Sequence, residues 1–152
     1  MITNLVMRDG HIIPDISCDN WEDLVDTLAS PLINGSLISP QYVQSAKEVI
    51  HKYGAYVVLV DDIAFFHGRP EDGVTQMSMS LGFLKDPIYL LQKRVKTAFL
   101  FAAIDNDSHI ALLKELTLLL NCEECLELLR DGKNIGLIVE KFREKEELNE
   151  VS

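Results

Sequence analysis

YVVLVDDIAFFHGRPEDGV, from Tyr56 to Val74, is the stretch on which the reading of this chain turns. Its first residues, Tyr56 to Val60, form a short, valine-rich apolar run that reads as a buried strand. The chain then passes Ile63 to Phe66, meets a single histidine, His67, and enters Gly68, Arg69, Pro70, Glu71, Asp72 and Gly73. An imidazole thus sits where an apolar scaffold gives way to a polar loop, the usual position of a working side chain.

Outward from that stretch, strand and helix signals alternate. Upstream, Asp19 or Asn20 caps a helix with Trp21, Leu24, Val25 and Leu28 at helical spacing. Pro31 and the Asn34-Gly35 pair break the chain, and Ser39-Pro40 opens a second helix that Gly54 closes. Downstream, Thr75 to Phe83 alternates, with Met77, Met79, Leu81 and Phe83 opposite Gln76, Ser78 and Ser80, as in a strand with one buried face. Val95 to Ile104 reads as a central strand, followed by the capping residues Asp105 to Ser108 and a helix from His109 to Leu120. Two more helices follow, Glu123 to Arg130 before Gly132 and Lys133 to Glu147, the last with Ile135, Ile138, Val139 and Phe142 on its apolar face. Interleaved strands and helices predict an α/β fold, a β-sheet with α-helices packed on its faces.

Composition bounds the function. At 152 residues, 47% hydrophobic and 25% charged, residues 1–152 fit a single compact domain with a core of its own. No apolar run approaches bilayer length and the N-terminus lacks a signal-peptide pattern, so the expected location is cytoplasmic, without membrane insertion. The formal charge is −10, from 14 basic and 24 acidic residues. Without a basic patch, nucleic acid is an unsuitable partner, whereas an acidic surface steers toward a basic protein. The acidic run from Glu140 to Glu150 reads as a solvated helix face. Cys18 stands alone, and Cys122 and Cys125 lack the second pair a zinc site needs. Glu123 and Glu124, between the sulfurs, disfavour thiolates, so the cysteines read as ordinary reduced thiols.

His67 beyond one strand and His109 in the first turn of a helix after another form the one constellation with chemistry in it. A helix start attracts anions and disfavours an imidazolium, which keeps His109 neutral. A neutral imidazole can attack through one nitrogen while the other donates a hydrogen bond. Two facing histidines would suit a phosphoryl group received and passed on; His67 also reads as a surface or capping side chain, and His109 as a solvated one. His11 and His51 have no such surroundings and receive no role. A hydrolase lacks support, since there is no nucleophile elbow and no glycine-rich phosphate loop.

IAFFHGRPEDGV, with GAYVVLVDD before it and FAAIDNDSHIALLKELTLLL after it, resembles the phosphotransferase-system enzyme IIA domains of the fructose–mannitol superfamily. The likeness extends to DNWEDLVDTLASPLINGSLISPQYVQSAKEVI near the N-terminus and CEECLELLRDGKNIGLIVEKF near the C-terminus. The compact loop and the DNDSH element look closest to the ascorbate-type branch.

The resemblance implies a mixed β-sheet with helices on both faces. It implies a phosphotransferase role in which His67 is phosphorylated by phospho-HPr, passes the group to a IIB component of a sugar transporter, and is assisted by His109. Arg69 either contacts the phosphoryl group or pairs with Glu71 or Asp72. No metal or organic cofactor is needed, and a homodimer is left open. Ile63, Phe65 and Phe66 are either docking rim or core. The family usually has proline before the active histidine; Phe66 here restores an N–H donor and adds an exposed or half-buried ring. The alternative function is that of a regulatory relative whose phosphorylation state controls a partner rather than sugar uptake.

Overall fold

The computed structural model describes the backbone of residues 1–151 and the side chains of residues 1–148. Two short elements open the chain, α1 (Ile2–Val6) and β1 (Ile12–Ile16), followed by two helices of the same length, α2 (Trp21–Asn34) and α3 (Pro40–Tyr53). Then come the strands β2 (Asp62–Phe66), β3 (Ser78–Leu90) and β4 (Lys93–Ala102), and the helices α4 (Asn106–Leu120), α5 (Glu123–Asp131) and α6 (Ile135–Val151). The four strands form one mixed sheet in the order β1-β3-β4-β2. β2 runs parallel to β4 and β1 parallel to β3, while β3 and β4 are antiparallel.

Strand parity sorts the core into two layers. Ala64 and Phe66 of β2, with Ala98, Leu100 and Ala102 of β4, pack with α2 and α3. Ile63 and Phe65, with Phe99 and Phe101, face α1, α4, α5 and α6. Helices therefore cover both faces of the sheet, and its middle strands are buried on both sides over most of their length.

Local chemistry explains most helix ends. Asn20 Oδ1 accepts the Asp23 N–H at 2.8 Å at the start of α2. Pro40 occupies the first turn of α3, and Gly54 closes that helix at φ 75°, where a side chain would be strained. Asp105 and Ser108 form a reciprocal capping box on α4. Gly132 ends α5 in the left-handed conformation.

Three expectations are corrected. Tyr56 to Val60 is not a strand: residues 54–57 form a 3₁₀ turn, and only Val60 makes an isolated bridge, to Ile63. Val57 and Val58 are buried while Tyr56 and Leu59 face solvent, so the run is apolar because it lines the core edge in a turn. Pro31 lies inside α2 and does not break it; the helix stops at Gly35. Ser78 and Ser80 of β3 are as buried as the methionine face, because α2 packs close against them and Ser80 Oγ donates to Leu28 O at 2.7 Å. The strand also runs on to Leu90, beyond the alternating stretch. In the acidic run on α6, Glu146 leaves the solvated pattern and accepts the Thr3 N–H at 2.8 Å; the side chains of residues 149 and 150 lie outside the described residues.

Candidate functional site

β2 and β4 are parallel neighbours, so their C-terminal ends open at the same edge of the sheet. Such edges are where open α/β sheets place ligands. Phe65 pairs with Phe99 and Phe66 with Leu100; one step further sets His67 beside Phe101. The rings follow that ladder: Phe65 stacks on Phe99 at 5.2 Å, and His67 on Phe101 at 4.9 Å. β4 then feeds α4, whose first turn swings His109 over the same phenyl ring at 5.8 Å. The imidazole centroids of His67 and His109 are 5.4 Å apart. Phe101, fully buried, is the floor beneath both.

Hydrogen bonds fix the state of His67. Its Nδ1 lies 3.0 Å from Phe65 O, a group that only accepts, so Nδ1 carries the hydrogen. Nε2 therefore presents its lone pair on the outer side, where Tyr56 Oη donates to it at 2.9 Å. Burial, and secondly the neighbouring His109, pull the His67 pKa below the usual histidine value, the bond to Phe65 opposing. Burial lowers that of His109 as well. Both imidazoles are thus set to be neutral at pH 7.

The loop after His67 is tied to one face of α3. Tyr42 Oη accepts the Gly68 N–H at 2.9 Å and donates to Phe101 O at 2.7 Å, joining loop to floor. Ser45 Oγ accepts the Arg69 N–H at 2.9 Å and donates to Asp72 at 2.8 Å. Arg69 bridges Asp72 at 2.6 Å and Glu48 at 2.7 Å. Of its two sequence-level readings, the ion pair with Asp72 is therefore present, joined by one to Glu48 that spacing alone does not suggest. Gly68 is required by closeness: a Cβ there would stand 2.9 Å from Ser45 Oγ and 3.0 Å from Ala46 N.

At the start of α4 the carboxylate of Asp105 accepts the Ser108 N–H at 2.8 Å, and those bonds hold its pKa below the usual carboxylate range. The His109 N–H is engaged by Asp105 O at 3.0 Å. What α4 offers His67 is therefore chiefly the His109 ring.

The structure thus brings His67 and His109 together and sets Arg69 on the loop beside them. Sequence reasoning missed Tyr56, Tyr42, Ser45 and Phe101, which act through contacts between distant segments; the aromatic at Tyr56, shortly after a helix-closing glycine, was the available signal. Ile63, Phe65 and Phe66 are core, at most 2% exposed, and Phe66 is neither exposed nor half-buried. The exposed apolar side chains on the adjoining elements are instead Tyr56, against His67, Tyr53, against Tyr56, and Ile104, Ile110 and Leu113 before and along α4.

His11, given no role, is buried with Nδ1 3.0 Å from Met79 O. Cys122 accepts the Cys125 N–H at 3.2 Å as the cap of α5, and burial followed by Cys122 pushes the Cys125 thiol up to about 12. All three cysteines are free thiols. Among the described residues no group of three or more His, Cys, Asp or Glu is placed to hold a metal ion.

Residues 5–145 match the family model "Phosphoenolpyruvate-dependent sugar phosphotransferase system, EIIA 2". The chain is 33% identical over 113 residues to the mannitol-specific cryptic phosphotransferase enzyme IIA component of Escherichia coli, covering 73% of this chain and 77% of that protein. It is 30% identical over 94 residues to the ascorbate-specific PTS system EIIA component of Shigella boydii, covering 60% and 61%. The solution structure of the E. coli mannitol-specific cryptic enzyme IIA superposes with a TM-score of 0.82 at 29% identity, covering 93% and 99% of the two chains. The mannitol IIA in a complex with phosphorylated IIB from E. coli superposes with a TM-score of 0.77 at 19% identity, covering 90% and 96%.

Proposed function

This chain belongs to the EIIA 2 family of the phosphoenolpyruvate-dependent sugar phosphotransferase system, and from that premise we propose that His67 Nε2 is the atom that carries its phosphoryl group. One observation carries the assignment: Phe65 O holds the hydrogen of Nδ1, which leaves Nε2 as the nucleophilic nitrogen and turns it outward.

The donor is phospho-HPr and the acceptor a IIB component, the partner named for the mannitol relative. The exposed side chains of Tyr53, Tyr56, Ile104, Ile110 and Leu113 give such partners an apolar rim around the histidines. The relay works in the cytoplasm, which the family match supports. No described helix is long and apolar enough to cross a membrane.

Transfer proceeds through a loose transition state in which positioning and charge stabilisation dominate. The Nε2 lone pair attacks phosphorus in line as the bond from phosphorus to the donor breaks, its electrons leaving with the donor. Nδ1 keeps its proton on Phe65 O, so the phosphorylated ring is an imidazolium, a good leaving group for the onward step. His109, 5.4 Å away between ring centroids, supplies a ring N–H to the phosphoryl oxygens. Arg69 serves by fixing the loop through Asp72 and Glu48.

The test is labelling from phosphoenolpyruvate through enzyme I and HPr. Wild type gains one acid-labile phosphate and His67→Ala none. His109→Ala is still labelled, and its onward transfer falls about a hundredfold, the usual loss for one preorganised donor. Label on His67→Ala equal to wild type would reject the assignment.

A further inference from the structure

Tyr56 approaches the nucleophilic nitrogen in the free protein. Its hydroxyl donates to His67 Nε2 at 2.9 Å, so it occupies the direction from which a phosphoryl group must arrive. The placement is built. Gly54, at φ 75°, turns the chain out of α3 into the 3₁₀ turn that carries Tyr56. The phenol ring stands edge-on to both His67 at 6.0 Å and Tyr53 at 5.9 Å. Burial and then Tyr53 raise its pKa, so the hydroxyl keeps its proton and remains a donor. The ring is 46% exposed and rests on a short turn outside the sheet, which leaves the hydroxyl room to follow a partner.

We propose that the Tyr56 hydroxyl is a second ligand of the phosphoryl group: it caps the Nε2 lone pair in the resting protein and donates to a phosphoryl oxygen once that lone pair has become the N–P bond. The inference rests on His67 being the phosphorylated residue. In the step itself the Nε2–P bond forms, the P–donor bond breaks with its electron pair going to the donor, and Tyr56 keeps its proton throughout. The hydroxyl exchanges a neutral O–H···N bond for a charge-assisted O–H···O⁻ bond, which is roughly twice as strong. Tyr56 therefore shifts the phosphoryl-transfer equilibrium toward this protein.

The experiment equilibrates the protein with HPr and phospho-HPr in a fixed ratio and reads the phosphorylated fraction and the phosphorus NMR signal of phospho-His67. Tyr56→Phe removes the hydroxyl and keeps the ring. Its equilibrium constant for phosphorylation should fall about fivefold, with a displaced phosphorus signal. Site-specific 3-fluorotyrosine at position 56, a more acidic donor of nearly the same shape, should raise the constant, and it decides the question even where the Phe variant folds poorly. A labelled wild type with both variants within twofold of it and unmoved signals overturns this inference alone. A wild type that takes no label on His67 overturns it together with the relay assignment.

Discussion

At the scale of single residues the site is governed by which nitrogen of His67 holds the hydrogen. The Phe65 carbonyl settles that, and burial beside Phe101 and His109 keeps the ring uncharged. Both histidines have pKa values below the free-residue value of 6.5. The unfolded chain therefore takes up protons near pH 6.5 while the folded protein resists until lower pH. The sign follows: their contribution to stability is complete above pH 6.5 and is lost as pH falls through the folded pKa values. Two measurements check this. NMR titration should place both midpoints below 6.5. Urea unfolding at pH 7.5 and 5.5 should show a larger loss for wild type than for His67→Ala/His109→Ala. Phosphate acceptance should keep more than half of its pH 8 level down to pH 6.5, because the lowered pKa leaves most of His67 neutral there.

At the scale of elements, α3 works as a rail for the loop. Tyr42, Ser45 and Glu48 recur every three residues along it and hold Gly68, Arg69 and Asp72. Two substitutions probe the rail. Gly68→Ala forces a methyl group against Ser45 Oγ and the Ala46 backbone, where the helix cannot yield. It should destabilise the fold by about 1–3 kcal/mol and slow phosphate acceptance, read by urea unfolding and labelling together. Tyr42→Phe leaves the Gly68 N–H without its partner and Phe101 O without its donor. It should cost about 1–3 kcal/mol and loosen the His67 loop, visible as faster amide exchange at Gly68. These contacts also bear on Phe66. At the position where the resemblance leads to the expectation of a proline, the loop here is fixed by hydrogen bonds to α3 and by burial of the Phe66 ring.

At the scale of the whole molecule, a charge of −10 is the property a partner meets first. On α3, the loop after His67, and α4 with its cap, Glu48, Glu71, Asp72, Asp105, Asp107 and Glu115 stand against Lys47, Lys52, Arg69 and Lys114. Association with a basic carrier should therefore be steered and sensitive to salt. Raising ionic strength from 0.05 to 0.5 M should reduce the second-order rate of transfer from phospho-HPr about tenfold or more, with little change in the hydrolysis of phospho-His67. Stopped-flow transfer and a hydrolysis time course separate the two. A salt-independent transfer rate would show that the apolar rim, not charge, governs encounter.

The sequence by itself determined the α/β class, the helices ended by Asn20, Pro40, Gly54, Asp105 and Gly132, the loop that carries His67, and the family. Each of these depends on residues a few positions apart, where capping, side-chain period and motif spacing act directly. It misassigned Tyr56 to Val60 because an apolar run suits a turn under a helix layer as well as a strand. It placed β1 and α1 nowhere, since each is five residues long and held by distant partners. The tertiary structure alone decided that His67 and His109 share the Phe101 floor, that Nε2 is the nitrogen turned toward Tyr56, and that Tyr42 reaches the loop after His67. The reason is physical: parallel pairing of β2 with β4, and strand parity, bring together side chains far apart in the chain, and the packing of α3 on the sheet sets Tyr42 on Phe101 O, 59 positions away. No local preference encodes that register.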